Sequence, residues 1–179
     1  MFYTARYASP VGSLMLASHG ENLVGLWLAG QKYFAASVVA DRTEKPDLPI
    51  LAATIHWLDR YFAGQKPAVS ELSLAPRGGA FRRAVWDILG EIPYGEVTTY
   101  GAVGKRVAER LGKERMSGQA VGGAVGHNPI SIIIPCHRVV GANGSLTGYG
   151  GGIAKKIQLL EHEGVDMTGL FTPKRGTAL

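Results

Sequence analysis

The sequence predicts a two-domain α/β protein in which a small α/β unit precedes a mainly helical unit. Residues 1–70 alternate between strand-like and helix-like patterns. Beyond the Pro- and Gly-containing segment Pro76–Gly79, apolar side chains instead recur at helical spacing. A chain of 179 residues is long enough for two small domains. We therefore place the domains at residues 1–76 and 77–166, followed by a C-terminal tail at 167–179.

The first unit combines a strand-rich start with one amphipathic helix. A Pro-Val-Gly turn at residues 10–12 separates two strand-like runs and predicts a hairpin. Apolar residues at helical spacing from Leu48 to Phe62 predict a helix, which Gly64 can end. The elements expected in this unit are the strands Phe2–Ser9, Ser13–Ser18, Asn22–Leu28 and Leu72–Leu74 and the helix Leu48–Phe62.

The second unit is predicted to contain a helix-turn-helix. Thr98 or Thr99 can cap the first helix and Ser117 the second, because a side-chain hydroxyl accepts a hydrogen bond from the first free backbone amides. Two short helices joined by a glycine-containing turn are typical of this motif, although the bare pattern is common. The helices expected in this unit are Ala80–Leu89, Tyr100–Leu111, Gly118–His127 and Ile153–His162.

The helix at 118–127 is unusual because it contains four glycines. Each glycine costs roughly 1 kcal/mol in a helix relative to alanine, so this composition indicates a need for a thin surface. One explanation is close packing against another backbone element. The alternative is entry into a narrow groove, because a DNA minor groove about 6 Å wide excludes large side chains.

Charge and composition narrow the function classes. The net charge is +5; residues 81–179 carry twelve basic against eight acidic side chains, whereas residues 1–80 carry seven against six. The positive C-terminal half suits contact with a polyanion. No apolar stretch approaches the ~20 residues of a membrane span, and the N-terminus lacks a signal-peptide pattern. We expect a cytoplasmic protein with no membrane partner.

Cys136 is the only cysteine, so neither an internal disulfide nor a cysteine-cluster zinc site is expected, and no metal or cofactor is predicted. A thiol is nucleophilic only as thiolate, and an ordinary cysteine with a pKa of about 8.5 is only slightly ionised at neutral pH. His137 and Arg138 follow directly and supply a proton acceptor and positive potential. Pro135 is expected to end the apolar run 131–134 as a strand just before the thiol. A lone cysteine is often an inert core residue, but this context favours a reactive thiol.

The motifs around Cys136 resemble those of the O6-alkylguanine-DNA alkyltransferases, also called methylated-DNA–protein-cysteine methyltransferases. The resemblance spans roughly residues 81–164. Its motifs are Pro135-Cys-His-Arg138, the preceding Asn128-Pro-Ile-Ser-Ile-Ile-Ile run, the glycine-rich Leu146-Thr-Gly-Tyr149, the segment Ile92–Tyr100 and the closing His162-Glu-Gly164. The resemblance implies a ribonuclease-H-like N-terminal domain and a mainly helical, winged helix-turn-helix C-terminal domain.

The resemblance also implies an activity and a site. A monomer would bind double-stranded DNA containing O6-alkylguanine, rotate the damaged base out and move the alkyl group onto Cys136, once per molecule; O4-alkylthymine is a further candidate substrate. By this resemblance, His137 would relay the thiol proton through a water, and Glu163 would orient that imidazole. Tyr100 would donate to guanine N3, and Asn128 would support the active-site turn. The backbone of Cys136 and Val139 would contact the exocyclic amine, and Tyr149 and Gly150 would contact the alkyl group and O6.

The residues that the resemblance places at the DNA are Gln119, Ala120, Gly122, Gly123, Arg138 and Arg115. Many relatives carry an arginine at the position of Gln119, where it fills the gap left by the rotated base. Glutamine can hydrogen-bond to the orphaned partner base but has no charge, so extrusion is expected to be weaker or slower. Arg115 is the alternative source of that charge, because the turn 108–116 is longer than in compact relatives.

Three other classes stay open at the level of sequence. A damage sensor related to the alkyltransferases would lack the acceptor thiol, so Cys136 argues against it. A winged-helix transcription factor would carry longer polar side chains on its recognition helix. A cysteine hydrolase would need an oxyanion hole and would turn over repeatedly. The mass of the protein after incubation with a damaged duplex would distinguish these classes.

Overall fold

The computed structural model describes residues 1–38 and 41–174 and divides into two units. Unit 1 comprises Met1–Arg77 with Pro129–Ser131, and unit 2 comprises Gly78–Asn128 with Ile132–Leu179. Each unit has the predicted character, since the first is built on a sheet and the second on helices. The mixed α/β fold class is therefore confirmed.

Unit 1 is built on a four-stranded sheet of order β3-β2-β1-β4. The strands are β1 (Phe2–Ser9), β2 (Gly12–Ser18), β3 (Leu23–Leu28) and β4 (Arg42–Glu44). The first three are antiparallel neighbours, whereas β4 pairs in parallel with β1. Every residue of β3 is buried, and the helix α1 (Pro49–Phe62) buries the apolar side chains Leu51, Trp57 and Leu58.

Two details of unit 1 differ from the sequence-based expectation. The strand β4 is not predicted, because its three residues are all exposed and carry no apolar alternation. The expected strand Leu72–Leu74 is reduced to one isolated bridge between Leu74 and Leu23. Both segments depend on a pairing partner elsewhere in the chain rather than on a pattern of their own.

Unit 2 contains four helices and one pair of short parallel strands within its described residues. These elements are α2 (Ala80–Gly90), β5 (Thr98–Thr99), α3 (Tyr100–Arg110), α4 (Gly118–Gly126), β6 (Val139–Val140) and α5 (Ile153–His162). The hydroxyl of Thr99 accepts a hydrogen bond from the Ala102 amide at 3.1 Å and caps α3, and Ser117 caps α4 in the same way. The predicted helix-turn-helix is formed by α3 and α4.

The apolar run before Cys136 is not a strand, contrary to the prediction. Ile130 makes only an isolated bridge to Leu26, and Ile132 has a φ of 71°, a left-handed conformation that is rare for a β-branched residue. The chain then turns tightly at Pro135, where the Cys136 amide donates to the carbonyl of Ile134 at 2.8 Å. With a φ of −83° and a ψ of 65°, Pro135 is the centre of an inverse γ-turn.

The expected tail makes backbone contacts in the part that the structure describes. Phe171 donates to the Gly144 carbonyl at 3.1 Å and accepts from the Leu146 amide at 2.8 Å, and Met167 and Leu170 pack on a small core cluster. Residues 175–179 of the expected tail lie outside the described residues. Among the described helices, none is both long and apolar enough to cross a membrane.

Candidate active site

The thiol of Cys136 lies at the start of a 3-10 turn, Cys136–Arg138, and the residue is 7% exposed. Burial raises the pKa of this thiol. A hydrogen bond from the Asn128 side chain, the charge of Lys156 and the amides of Cys136 and His137 act in the opposite direction. The thiol therefore rests protonated, and the groups around it stabilise the thiolate once the proton has left.

Asn128 ties the cysteine turn to the end of α4. Its side-chain amide donates to the carbonyl of Ile134 at 2.7 Å, which is the same carbonyl that accepts the Cys136 amide. One side chain thus contacts both the turn and the sulfur, at the position where the sequence predicts a bracing asparagine.

His137 and Glu163 form a buried pair with no exposed side-chain surface, in which Nε2 lies 2.7 Å from Oε1. Burial lowers the pKa of His137, although Glu163 acts to raise it. The imidazole is therefore neutral at pH 7, and a carboxylate partner at Nε2 requires the proton there. Nδ1 is then an acceptor, and it has no hydrogen-bond partner within residues 1–38 and 41–174.

Arg138 is buried and its charge is paired within the protein, contrary to the prediction that it contacts DNA. Its guanidinium donates two hydrogen bonds to Glu163, from Nε to Oε2 at 2.8 Å and from Nη2 to Oε1 at 2.9 Å. Nη1 donates a third hydrogen bond, to the carbonyl of Ile92 at 2.6 Å. The residue is 6% exposed and its charge is already paired. Arg138 instead fixes the carboxylate that orients His137.

Glu163 stays ionised despite its burial. Burial alone would raise the pKa of this carboxyl, but hydrogen bonds from His137 and Arg138 and the positive charge of Arg138 hold the pKa well below its usual range. The amide of Gly95 also donates to Oε2, at 3.3 Å. The imidazole therefore faces a fixed negative charge over the whole neutral pH range.

Tyr100, the first residue of α3, donates its phenolic hydrogen bond to the carbonyl of Thr147 at 3.0 Å. Burial raises the pKa of this phenol, and the nearby Cys136 adds to the effect, so Tyr100 remains a donor at physiological pH. Gly148 makes the close approach possible. With a φ of 76° it has no side chain where a Cβ would lie 2.4 Å from the Tyr100 hydroxyl.

Lys156 is a site residue that is absent from the sequence-based predictions. It is completely buried, and Nζ donates to the carbonyls of Val139 and Thr147 at 2.5 and 2.9 Å. Burial lowers the pKa of this lysine to about 8, while Cys136 acts to raise it. A signal was present in the sequence, because Lys156 occupies a core-facing position of α5 with Leu159 and Leu160 three and four residues further on.

The residues expected to contact the substrate, Tyr149, Val139 and Gly150, also lie in unit 2. Tyr149 is 3% exposed, its ring lies edge-on to that of His137 at 6.5 Å, and its hydroxyl has no hydrogen-bond partner in the described part of the chain. Burial raises its pKa, with smaller contributions from Cys136 and Glu163. Val139 is buried and its carbonyl already accepts from Lys156, whereas Gly150 is partly buried.

The glycines of α4 do not serve packing. Beyond its chain neighbours and the backbone of its own helix, a Cβ on any of the four glycines would meet no described atom within 4 Å, so the explanation by close packing is wrong. Gly104 on α3 faces α4, and a Cβ there would make an ordinary contact with Val121 at 3.4 Å. The Trp86 indole holds α4 by donating to the Ala124 carbonyl at 2.8 Å. The face that α4 leaves open is thin.

The residues expected at the DNA, apart from Arg138, lie on this open face or beside it. Gln119, Ala120, Gly123 and Arg115 are exposed, and Gly122 is partly buried. An apolar hollow of about 400 Å³ lies alongside, with Phe81, Leu111 and Met116 among its lining residues. For metals, residues 1–38 and 41–174 contain no group of three or more His, Cys, Asp or Glu side chains that could hold an ion.

The geometry defines a cysteine-centred group-transfer site next to a helix-turn-helix, and comparisons with known proteins identify the family. The 6-O-methylguanine DNA methyltransferase profiles match residues 2–76, as the ribonuclease-like domain, and residues 80–165, as the DNA binding domain. The chain therefore belongs to the 6-O-methylguanine DNA methyltransferase family.

Individual relatives agree with this assignment. Proteins named methylated-DNA–protein-cysteine methyltransferase from Haemophilus influenzae and Mycobacterium bovis are 41% and 44% identical, covering 91% and 87% of this chain and 86% and 88% of their own lengths. The crystal structure of Mycobacterium tuberculosis OGT in complex with DNA is similar with a TM-score of 0.75 and 41% identity, over 90% of this chain and 93% of that one.

Proposed function

We propose that this protein repairs duplex DNA by moving the alkyl group of O6-alkylguanine irreversibly onto Cys136. The observation that carries the proposal is one buried thiol that is followed in the chain by a buried, neutral imidazole, whose Nε2 is held by Glu163 and whose Nδ1 is left as an acceptor. The solved DNA complex of a similar protein supports duplex DNA as the partner. O4-alkylthymine is included as a substrate, because it also carries its alkyl group on an exocyclic oxygen of the base.

DNA would meet the open face of α4. Its small residues suit a narrow groove, and Arg115 lies in the turn that leads into this helix. Rotating a base out of the stack costs a few kcal/mol, and less when alkylation has already weakened its pairing. Rotation is required because Cys136 is only 7% exposed, so the reacting carbon must be brought to the sulfur. Gln119 or Arg115 would occupy the gap.

The thiol proton leaves first. His137 Nδ1 accepts it through a water, while Nε2–H keeps its bond to Glu163 and Arg138 keeps that carboxylate ionised. The thiolate then attacks the carbon on O6, an S–C bond forms and the C–O6 bond breaks. The released electron pair returns to the guanine, which regains its neutral form by taking up, through water, the proton that His137 had accepted. Tyr100 donates toward ring nitrogen N3 and lowers the cost of the developing negative charge.

Several groups would select the base. The carbonyls of Cys136 and Val139 accept from the exocyclic amine; Val139 can do so because a carbonyl has two lone pairs and Lys156 uses only one. Tyr149 and Gly150 line the space for the alkyl group and O6. The product is a thioether, which this site has no group to cleave, so each molecule acts once. Acting as a monomer suffices, and a cytoplasmic location keeps the lone thiol reduced.

Intact-mass measurement tests the proposal. The protein is incubated with a duplex that contains one O6-methylguanine, and the expected result is one added methyl group, located on the Cys136 peptide, with one event per molecule. The control variant Cys136→Ala should bind the same duplex and gain no mass. Binding without any mass gain in the unaltered protein would indicate a damage sensor, and repeated turnover would indicate a hydrolase.

A further inference from the structure

We propose that Lys156 is a positioning residue that allows Tyr100 to release its resting hydrogen bond and turn its hydroxyl to the substrate. The inference rests on the proposed function, in which Tyr100 donates to the rotated base. It assigns a further task to a fully buried cation whose charge also favours the Cys136 thiolate.

One backbone carbonyl links the two side chains. The oxygen of Thr147 accepts from the Tyr100 hydroxyl at 3.0 Å and from Lys156 Nζ at 2.9 Å. The same ammonium also donates to the carbonyl of Val139 at 2.5 Å. Lys156 therefore joins the Tyr100 acceptor to the strand β6, which directly follows the Cys136 turn.

The hydroxyl of Tyr100 carries a single proton, so it cannot donate to Thr147 and to a bound base together. When it turns away, the Thr147 carbonyl loses one donor in a buried environment. A buried acceptor left unpaired would slow the step by about ten- to a hundredfold. Lys156 prevents this loss, because its own hydrogen bond to the carbonyl remains. An ammonium has three donors, which is enough to hold two carbonyls at once.

The variant Lys156→Met tests the inference, because methionine has a similar length but no donor and no charge. Its matched control is Lys155→Met, which removes an equal charge one residue earlier, from a partly buried position on the same helix. Single-turnover transfer from an O6-methylguanine duplex should slow about ten- to a hundredfold for Lys156→Met and about twofold at most for Lys155→Met. Alkylation of Cys136 by iodoacetamide needs the thiolate but no donor from Tyr100, so it measures the lost charge of Lys156 alone and should slow less than methyl transfer does.

A double-mutant cycle with Tyr100→Phe separates positioning from general structure. Phenylalanine has no hydrogen bond to release, so Lys156→Met should slow transfer only about twofold in that background. An undiminished effect there, or a wild-type rate for Lys156→Met alone, would overturn the inference. Absence of methyl transfer in the wild-type protein would instead refute the proposed function. If Lys156→Met does not fold, Lys156→Gln can replace it, because glutamine keeps an amide group as a donor. The same double-mutant cycle should then show a smaller coupling energy with Tyr100→Phe, of the same sign. Absence of coupling would equally overturn the inference.

Discussion

Replacing Gly148 with alanine tests whether the position of the Tyr100 hydroxyl controls alkyl transfer. Gly148 has a φ of 76°, and a Cβ at this residue would lie 2.4 Å from the Tyr100 hydroxyl and 3.3 Å from its Cζ. Ordinary contacts of a Cβ fall between 3.4 and 4 Å. The hydroxyl must therefore shift by about 1 Å, which breaks or lengthens its 3.0 Å hydrogen bond to Thr147.

Two effects have to be separated, and the chain offers a control. A left-handed backbone costs about 1–2 kcal/mol for a residue with a Cβ, and this strain alone lowers stability. Gly64, with a φ of 81° and nothing within 4 Å of its Cβ, carries the same strain without the clash. A displacement of about 1 Å at a reacting group can cost about a hundredfold in rate. Gly148→Ala should therefore transfer about a hundredfold more slowly, and Gly64→Ala at the wild-type rate.

The assay is the single-turnover rate of Cys136 methylation, measured at saturating duplex together with the melting temperature. Both variants should melt a few degrees lower than the wild type, while duplex affinity should change little because Gly148 is not among the residues expected at the DNA. Transfer by Gly148→Ala at the same rate as by Gly64→Ala would refute the role of the Tyr100 position.

Two further predictions concern the Glu163 carboxylate and the residue that fills the gap left by the rotated base. Glu163→Gln should destabilise the fold by roughly 3–5 kcal/mol near pH 7, because Arg138 loses its buried charged partner. The folded pKa of Glu163 lies below its unfolded value, so this stabilisation is present above about pH 4.3 and is lost as pH falls further. In urea unfolding, the difference in stability between variant and wild type should therefore narrow in acid, and a constant difference would contradict the paired carboxylate. Gln119→Arg should capture an O6-methylguanine duplex faster in stopped-flow measurements; an unchanged rate, together with slower capture by Arg115→Ala, would assign the gap-filling role to Arg115.

Features that depend on neighbouring residues were predictable from the sequence. The strand β1 and the helix α5 have the predicted bounds, and Ser117 caps α4 as expected. Thr99 was one of two candidate caps for α3, and the structure selects it. These features follow from periodicity and from side-chain contacts three residues apart, which the order of residues alone determines.

Features that depend on distant partners were not predictable. The resemblance placed Arg138 among the DNA contacts, yet Glu163, 25 residues further on, pairs with its charge. Lys156 was not predicted as a site residue; its helical position indicated burial, but its hydrogen-bond partner, the carbonyl of Val139, lies 17 residues away. The glycines of α4 had two explanations, and only the surroundings of each glycine excluded close packing.

The sequence by itself determined the family and the acceptor, because Cys136 and His137 are adjacent in the chain and the motifs around them are local. Only the tertiary structure decided how that acceptor is prepared. The pKa of the thiol, the tautomer of the imidazole and the donor state of Tyr100 all depend on burial and on hydrogen bonds with Asn128, Glu163 and Thr147. These quantities are set by distances in space between segments far apart in the chain, which no local pattern encodes.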